Sequence, residues 1–222
     1  MNDKLIGKAT LVAALLATLA SAASSALNQL SPEERREGFR LLFNGQNLDG
    51  WNGDAELWSV KDGVIVGSTD NHKLEHNSFL ISNKPYSNFI LRADIKLRNH
   101  NSGIQFRSKE LPDYVCTGYQ ADASEAGDHS AWGNFYEEKG RGRGVMKNPD
   151  EGWAIGKTVY KKGDWNTIEV EARGPVMRIK VNGVETIRVT DDAASSGVIA
   201  FQAHMGVPMR VEFRNIRIKE LP

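Results

Sequence analysis

The sequence predicts an all-β protein, an antiparallel jelly-roll sandwich of two sheets. Short segments that alternate apolar and polar residues recur from Phe39 to the end of the chain. Close turn signals, Asp62-Gly63 and Asn182-Gly183 above all, separate them, because these dipeptides adopt the positive backbone angles of tight hairpins. Helical periodicity is nearly absent. About a dozen strands with little helix make a single antiparallel sandwich, and no repeat of blade length points to a propeller.

The elements follow in order. Ser31-Pro32-Glu33-Glu34 reads as a helix start with a serine cap, proline in the first turn and acids beside it, worth one short turn. Phe39 to Phe43 begins the strands, and Asn44-Gly45 and Asp49-Gly50 close the entry to the domain. Trp58–Val60 and Val64–Val66 pair across Asp62-Gly63, and Ser78 to Ser82 is a short apolar strand. Asn88 to Leu97 buries Phe89, Leu91, Ala93, Ile95 and Leu97 and leaves Arg92, Asp94 and Lys96 on the wet face. Ser102 to Ser108 repeats the pattern. Trp165–Ala172 and Pro175–Val181 pair across Arg173-Gly174, and Asn182-Gly183 turns the chain again. Gly197–Ala203 and Met209–Leu221 finish it, with a bulge expected where Arg214-Asn215-Ile216 breaks the alternation.

The chain has 222 residues, 40% of them hydrophobic and 25% charged, which are ordinary globular values. Lys plus Arg and Asp plus Glu number 28 each, so no global field selects nucleic acid or an anionic membrane. Residues 1–26 carry the basic, apolar and small-residue order of a secretory signal peptide, with cleavage after Ala22 or Ala26. Residues 27–38 then form a lead-in and 39–222 one domain, exported to the periplasm or beyond, with no integral membrane segment. No cysteine near the cleavage region offers a lipid attachment point. Cys116 is the only cysteine and reads as a buried small hydrophobe, since one thiol makes no internal disulfide.

The stretch from Gly118 to Arg143 carries more chemistry than a connection needs. It opens as a strand and continues as a long polar segment of carboxylates, arginines and aromatics, read as an ordered functional loop over the sheet. Period-2 bookkeeping gives it a floor. Burying Ile104 and Phe106 turns Gln105 and Arg107 to the opposite face; burying Ile199, Phe201 and Ala203 does the same for Gln202 and His204; Gln120 and Asp122 share one face of the strand entering the loop. If these three strands are neighbours, Arg107, Gln120, Asp122, Gln202 and His204 converge on one polar surface. Each residue alone is an ordinary solvated side chain; their convergence resembles a carbohydrate site, with paired donors and acceptors for hydroxyls and Tyr119, Trp132 or Tyr136 for the apolar face of a sugar.

Other constellations say less. The five histidines show no zinc spacing, while a hard cation on Asp and backbone oxygens has no spacing signature and stays open. Glu137 and Glu138 are adjacent on a strand, so at most one faces the site. Arg141-Gly142-Arg143 lacks the strand-to-helix context of a phosphate clamp. Asn182 belongs to a turn and Asn77 is not read as a site residue; Trp51, Trp58 and Trp165 are read as core.

The order of motifs resembles one family. Phe39 to Trp51 in the form FxLFNGxxLxGW, then WSVKDGVI, NSGIQFRS, GYQADA, WGNFYEEKGRG, GDWNTIEVEARG, the Asn-Gly hairpin, GVIAFQAH and VEFRNIRIKEL are similar to the 3-keto-disaccharide hydrolases, over Phe39 to Leu221. The resemblance implies a concanavalin A-like fold and cleavage of glycosides oxidised at carbon 3, by hydrolysis or by elimination and hydration. A carbonyl there acidifies the hydrogen on carbon 2 and sets the oxygen on carbon 1 to leave, so the site needs a base, an enolate stabiliser and an acid. On this reading Arg107 is the enolate clamp, Glu137 or His204 the base or acid, Gln120, Asp122 and Gln202 position hydroxyls, and Trp132 and Tyr136 pack on the sugar. A divalent cation could replace Arg107 as the electrophile. The partner is then an oxidised sugar or another carbohydrate. A noncatalytic carbohydrate-binding module of the same fold is the alternative, and a glucanase acting on unoxidised chains comes last, because no alternating carboxylate pair appears.

Overall fold

A computed structural model describes residues 27–125, 132–142 and 149–222 of the protein. The signal-like segment and parts of the polar stretch, residues 126–131 and Arg143 among them, lie outside the described residues.

Among the described residues the strands form two antiparallel sheets. The chain enters through α1 (Pro32–Glu37), capped by Ser31 in a full capping box with Glu34. It continues through β1 (Arg40–Leu41), β2 (Trp51–Asn52), β3 (Trp58–Lys61), β4 (Val64–Ser68), β5 (Ser78–Tyr86), β6 (Phe89–Leu97), β7 (Asn101–Leu111), β8 (Val115–Ser124) and β9 (Phe135–Glu138). After α2 (Pro149–Val159) come β10 (Asn166–Arg173), β11 (Val176–Val181), β12 (Val184–Thr190), β13 (Gly197–Ala203) and β14 (Arg210–Glu220). One sheet runs β12-β11-β10-β6-β14-β4-β3 with β1 on β14; the other runs β2-β5-β13-β7-β8-β9. This is the expected jelly roll, all β and two-layered.

The expected turns are where the sequence puts them. Asp62-Gly63 and Asn182-Gly183 all have positive φ, and the ladder of β14 with β6 slips between Arg214 and Arg217, at the expected bulge. The layers meet through their inward rows. Phe201 of one sheet stacks on Phe213 of the other at 4.1 Å, and Trp51 stacks on Phe201 at 4.8 Å.

The outer face of the six-stranded sheet has two halves. In one, Phe79, Ile81, Ala200 and Cys116 form a small second core. The far part of the β7–β8 hairpin is bonded back over it, Phe79 N donating to Tyr114 O at 2.8 Å and Asn52 Nδ2 to Glu110 Oε1 at 3.0 Å. The turn back begins at a bulge: the ladder slips between Phe106 and Lys109, and Arg107 has φ 47°. Cys116 is fully buried, its thiol pushed up to about 12 mainly by that burial, so it is inert. The other half of the face is polar.

α2 is the element that the strand pattern did not announce. A Cβ on Gly156 would stand 2.1 Å from the Trp132 carbonyl oxygen, so the glycine that weakens a helical reading is what lets this helix lie against Trp132. None of the described helices is long and apolar enough to cross a membrane.

Candidate functional site

β13, β7, β8 and β9 are consecutive neighbours, so their outward residues stand in adjacent rows. Together they line a cavity of about 210 Å³ with Asn101 from β7, Gln120 and Asp122 from β8, Tyr136 and Glu138 from β9, Gln202 from β13, His204 just beyond it and Asn77 just ahead of β5. The period of two explains the pairs 120/122, 136/138 and 202/204. Gly103, opposite Asp122 in the ladder, is where backbone must come close: a Cβ there would meet Gln120 Cδ at 2.7 Å.

The floor is a directed chain of buried hydrogen bonds. Ser108 Oγ donates to Gln105 Oε1 at 2.6 Å, Gln105 Nε2 to Gln120 Oε1 at 2.9 Å and Gln120 Nε2 to Asp122 Oδ1 at 2.8 Å. Gln120 is thereby fixed as the holder of Asp122. Two wall oxygens differ: Gln202 Oε1 and Asn101 Oδ1 are buried without a hydrogen-bond partner among the described residues. Gln202 is 1% exposed, and a buried, unsatisfied amide oxygen is a standing penalty unless a donor arrives.

Two ionisable groups of the lining, Glu138 on β9 and His204 at the end of β13, are shifted in opposite senses. Glu138 is 8% exposed; burial raises its carboxyl above the usual range, against the lowering effects of the Asn77 amide and Lys139. Burial also lowers His204, with His100 adding to the effect and the Met205 carbonyl opposing it. His204 Nδ1 lies 2.6 Å from that carbonyl, which can only accept, so Nδ1 carries the proton and Nε2 the lone pair. His100 packs edge-on against His204 at 4.6 Å. Asn77 Nδ2 donates to Glu138 Oε1 at 3.1 Å.

Of the residues expected at the site, Gln120, Asp122, Tyr136, Gln202 and His204 come together. Arg107 does not. Its bulge turns the guanidinium away from the cavity, where Nε donates to Ser87 O at 2.7 Å, Nη1 to Gly174 O at 2.6 Å and Nη2 to Asn88 Oδ1 at 3.1 Å. It joins the β5–β6 and β10–β11 turns. Glu137 also points elsewhere, as one of two neighbours on a strand must: Arg141 Nε donates to it at 2.5 Å, and the same guanidinium holds Asp191 at 2.8 Å. Glu138 takes its place in the cavity. Trp132 is wholly buried and stacked on Tyr160 at 5.4 Å, inside the protein and not over the site. Tyr119, offered for the sugar's apolar face, is likewise in the core, its hydroxyl bonded to Asp191.

Asn77, Asn101 and Glu138 were missed. Glu138 was legible as the residue two on from Tyr136, and Asn101 as the start of the Gly103, Gln105 row. Asn77 lies in a connection whose course no period predicts. Among the described residues no three His, Cys, Asp or Glu side chains gather as a metal-holding group.

The family pattern and the similar solved structures make this two-sheet jelly roll a glycosyl hydrolase-like or carbohydrate-binding protein. Within that class the chain belongs to the family of the 3-keto-alpha-glucoside-1,2-lyase-like domain, whose pattern matches residues 38–219. Among solved structures, a protein of Parabacteroides distasonis assigned as a glycosyl hydrolase is 27% identical, with 88% of this chain and 100% of that one covered and a TM-score of 0.65. A second protein of that organism with the same assignment is 20% identical over 82% of this chain and 99% of its own, TM-score 0.61. The carbohydrate-binding module CBM66 of Bacillus subtilis shares the fold at 18% identity over 77% and 96%, TM-score 0.55. No curated protein matches the chain in sequence.

Proposed function

We propose that this protein cleaves 3-keto-glycosides at the cavity by elimination across carbons 1 and 2, followed by hydration. The observation that carries the proposal is the pair Glu138 and His204, two proton-transfer groups in one cavity displaced in opposite directions by their surroundings. Burial favours the uncharged form of each, a protonated Glu138 that can give a proton and a neutral His204 that can take one. Family membership and the glycosyl hydrolase assignment of the Parabacteroides relative supply the substrate class.

His204, kept neutral and with Nε2 unprotonated, takes the proton from carbon 2. The electron pair of that C–H bond moves into the carbon 3 carbonyl as an enolate, for which the amide N–H groups of the wall are the donors. Collapse of the enolate forms the C1–C2 double bond and breaks the bond to the glycosidic oxygen, which receives the proton of Glu138. His204 is then cationic and Glu138 ionised, the states needed for the return: Glu138 takes a proton from water as its oxygen adds to carbon 1, and His204 returns one to carbon 2. The sum is hydrolysis. Gln202 Oε1 and Asn101 Oδ1 accept from ring hydroxyls, and Asp122 on its glutamine floor accepts from another.

The test is release of the alcohol from a 3-keto-glucoside and from its unoxidised parent, with and without chelator. Turnover of the keto compound alone supports the reading, and abolition by chelator would add a cation as the enolate's partner. Saturable binding of the keto-sugar without turnover would instead make this a binding module. Export of the protein through residues 1–26 belongs to the same proposal.

A further inference from the structure

The loop after β13, Met205 to Pro208, is tied to the cavity at one end and to the sandwich at the other. Met205 N donates to Asn77 Oδ1 at 3.0 Å, and its carbonyl accepts from His204 Nδ1 at 2.6 Å and His100 Nε2 at 3.1 Å. At the far end the Pro208 carbonyl accepts from Asn99 Nδ2 at 2.9 Å. Between these fixed ends the loop holds apolar side chains in water, Met205 41% and Val207 55% exposed. Only five large hydrophobic residues are exposed among those described, the others being Leu27, Tyr114 and Val184, and these two fall in one tripeptide. A lone exposed apolar residue is ordinary. Two of them on a loop whose backbone is bonded to Asn77 and His204, both of the cavity lining, put an apolar step next to that lining.

Asn77 gives the step its direction. Its amide donates to Glu138 Oε1 at 3.1 Å and accepts from Met205 N at 3.0 Å. The carboxyl that protonates the departing oxygen and the apolar loop therefore meet at one side chain. A cavity of about 210 Å³ lies below the ~300–1,000 Å³ of sites for drug-sized ligands and holds a single ring. Whatever the departing oxygen carries must lie outside it, on the Glu138 and Asn77 side. Resting on the elimination reading, we infer that Met205 and Val207 seat the leaving group, and that the substrates are 3-keto-glycosides of apolar, aromatic alcohols. A thioether beside a branched methyl pair suits an aromatic ring, which gains from sulfur contact as well as from apolar area.

The test is the double substitution Met205→Gln with Val207→Thr, which keeps size and backbone and removes apolar character at exposed positions. Its kcat/KM is compared with that of the unaltered chain on phenyl and on methyl 3-keto-glucoside. The expected result is a loss of ~10-fold or more on the phenyl compound, the lower end of what an apolar contact contributes to discrimination, and a change within about twofold on the methyl compound. Equal losses on both, or no loss on the phenyl compound, overturn the inference. If the unaltered chain turns over neither compound, the elimination reading fails and calorimetric affinities for the same two ligands decide the loop. A phenyl preference present in the unaltered chain and removed by the substitutions sustains the seat; equal affinities in the unaltered chain overturn it.

Discussion

Replacing Gln202 by Met should make the protein more stable and worse at holding a sugar. Gln202 is 1% exposed and its Oε1 has no partner among the described residues, while its backbone carbonyl is held independently by Ser102 Oγ at 2.7 Å. Leaving a buried acceptor unsatisfied costs about 1–3 kcal/mol. Methionine keeps the length and approximate volume of glutamine without that oxygen, so most of the penalty is relieved. For a domain of this size ~1 kcal/mol moves Tm by about 2–4 °C, which gives a rise of roughly 2–10 °C. Binding moves the other way. A ring hydroxyl that donated to Oε1 would face a thioether, a loss of ~1–2 kcal/mol, or about 5- to 30-fold in affinity. Thermal melts and calorimetric titration with methyl 3-keto-glucoside measure both. A fall in Tm would mean that the oxygen is already satisfied, and unchanged affinity would mean that it does not face the ligand; either refutes the reasoning.

Glu138→Gln should lower kcat by about 10²- to 10⁴-fold, the usual contribution of one general acid, whereas Glu137→Gln should stay within a few-fold, because Glu137 is engaged with Arg141. The carboxyl of Glu138 is raised in the folded state, so its favourable contribution is complete below the ordinary glutamate value of about 4.3 and is lost as pH rises through the shifted one. Denaturant titrations should therefore find Glu138→Gln more stable than the native chain near neutral pH, with the difference closing in acid. For His204, lowered by burial, the acid limb of kcat/KM should fall below the ordinary histidine value of about 6.5, and a limb above it would contradict the assignment. Arg107→Ala should cost about 3 kcal/mol or more, since it strips partners from the Ser87 and Gly174 carbonyls, and leave sugar affinity of the folded fraction unchanged. Trp132→Ala should cost about 3–5 kcal/mol in the same assay, as a buried stacked aromatic and not a sugar platform.

Alternation made the sandwich legible, and with it the face that carries the cavity. Gln120, Asp122, Gln202 and His204 were placed by parity alone, and parity holds as long as a ladder is regular. It failed at Arg107 because the ladder slips there, and a positive φ at an arginine leaves no composition signal, unlike the Asn-Gly and Asp-Gly turns. The bulge at Asn215 was visible because it breaks a strongly apolar row. Parity says that Glu137 and Glu138 face opposite ways without saying which way; Tyr136, read as a site residue, was the clue that selects Glu138. The aromatics of the polar stretch mislead for a different reason. Trp132 is needed to cover the core beside α2, and only the position of that helix shows this. Asn77 owes its place to a connection, whose path is set by tertiary contacts.

The claim that elimination across carbons 1 and 2 runs between His204 and Glu138 is tested most directly by turning over a 3-keto-glucoside in deuterated water and examining the released 3-keto-sugar. Proton removal by His204 and return after exchange with solvent predicts deuterium at carbon 2 of the product at early times, ahead of the exchange that the free 3-keto-sugar undergoes without the protein, and a fall in this product along with kcat in Glu138→Gln. Turnover with the original hydrogen retained at carbon 2 would contradict the account, because displacement at carbon 1 never breaks that bond.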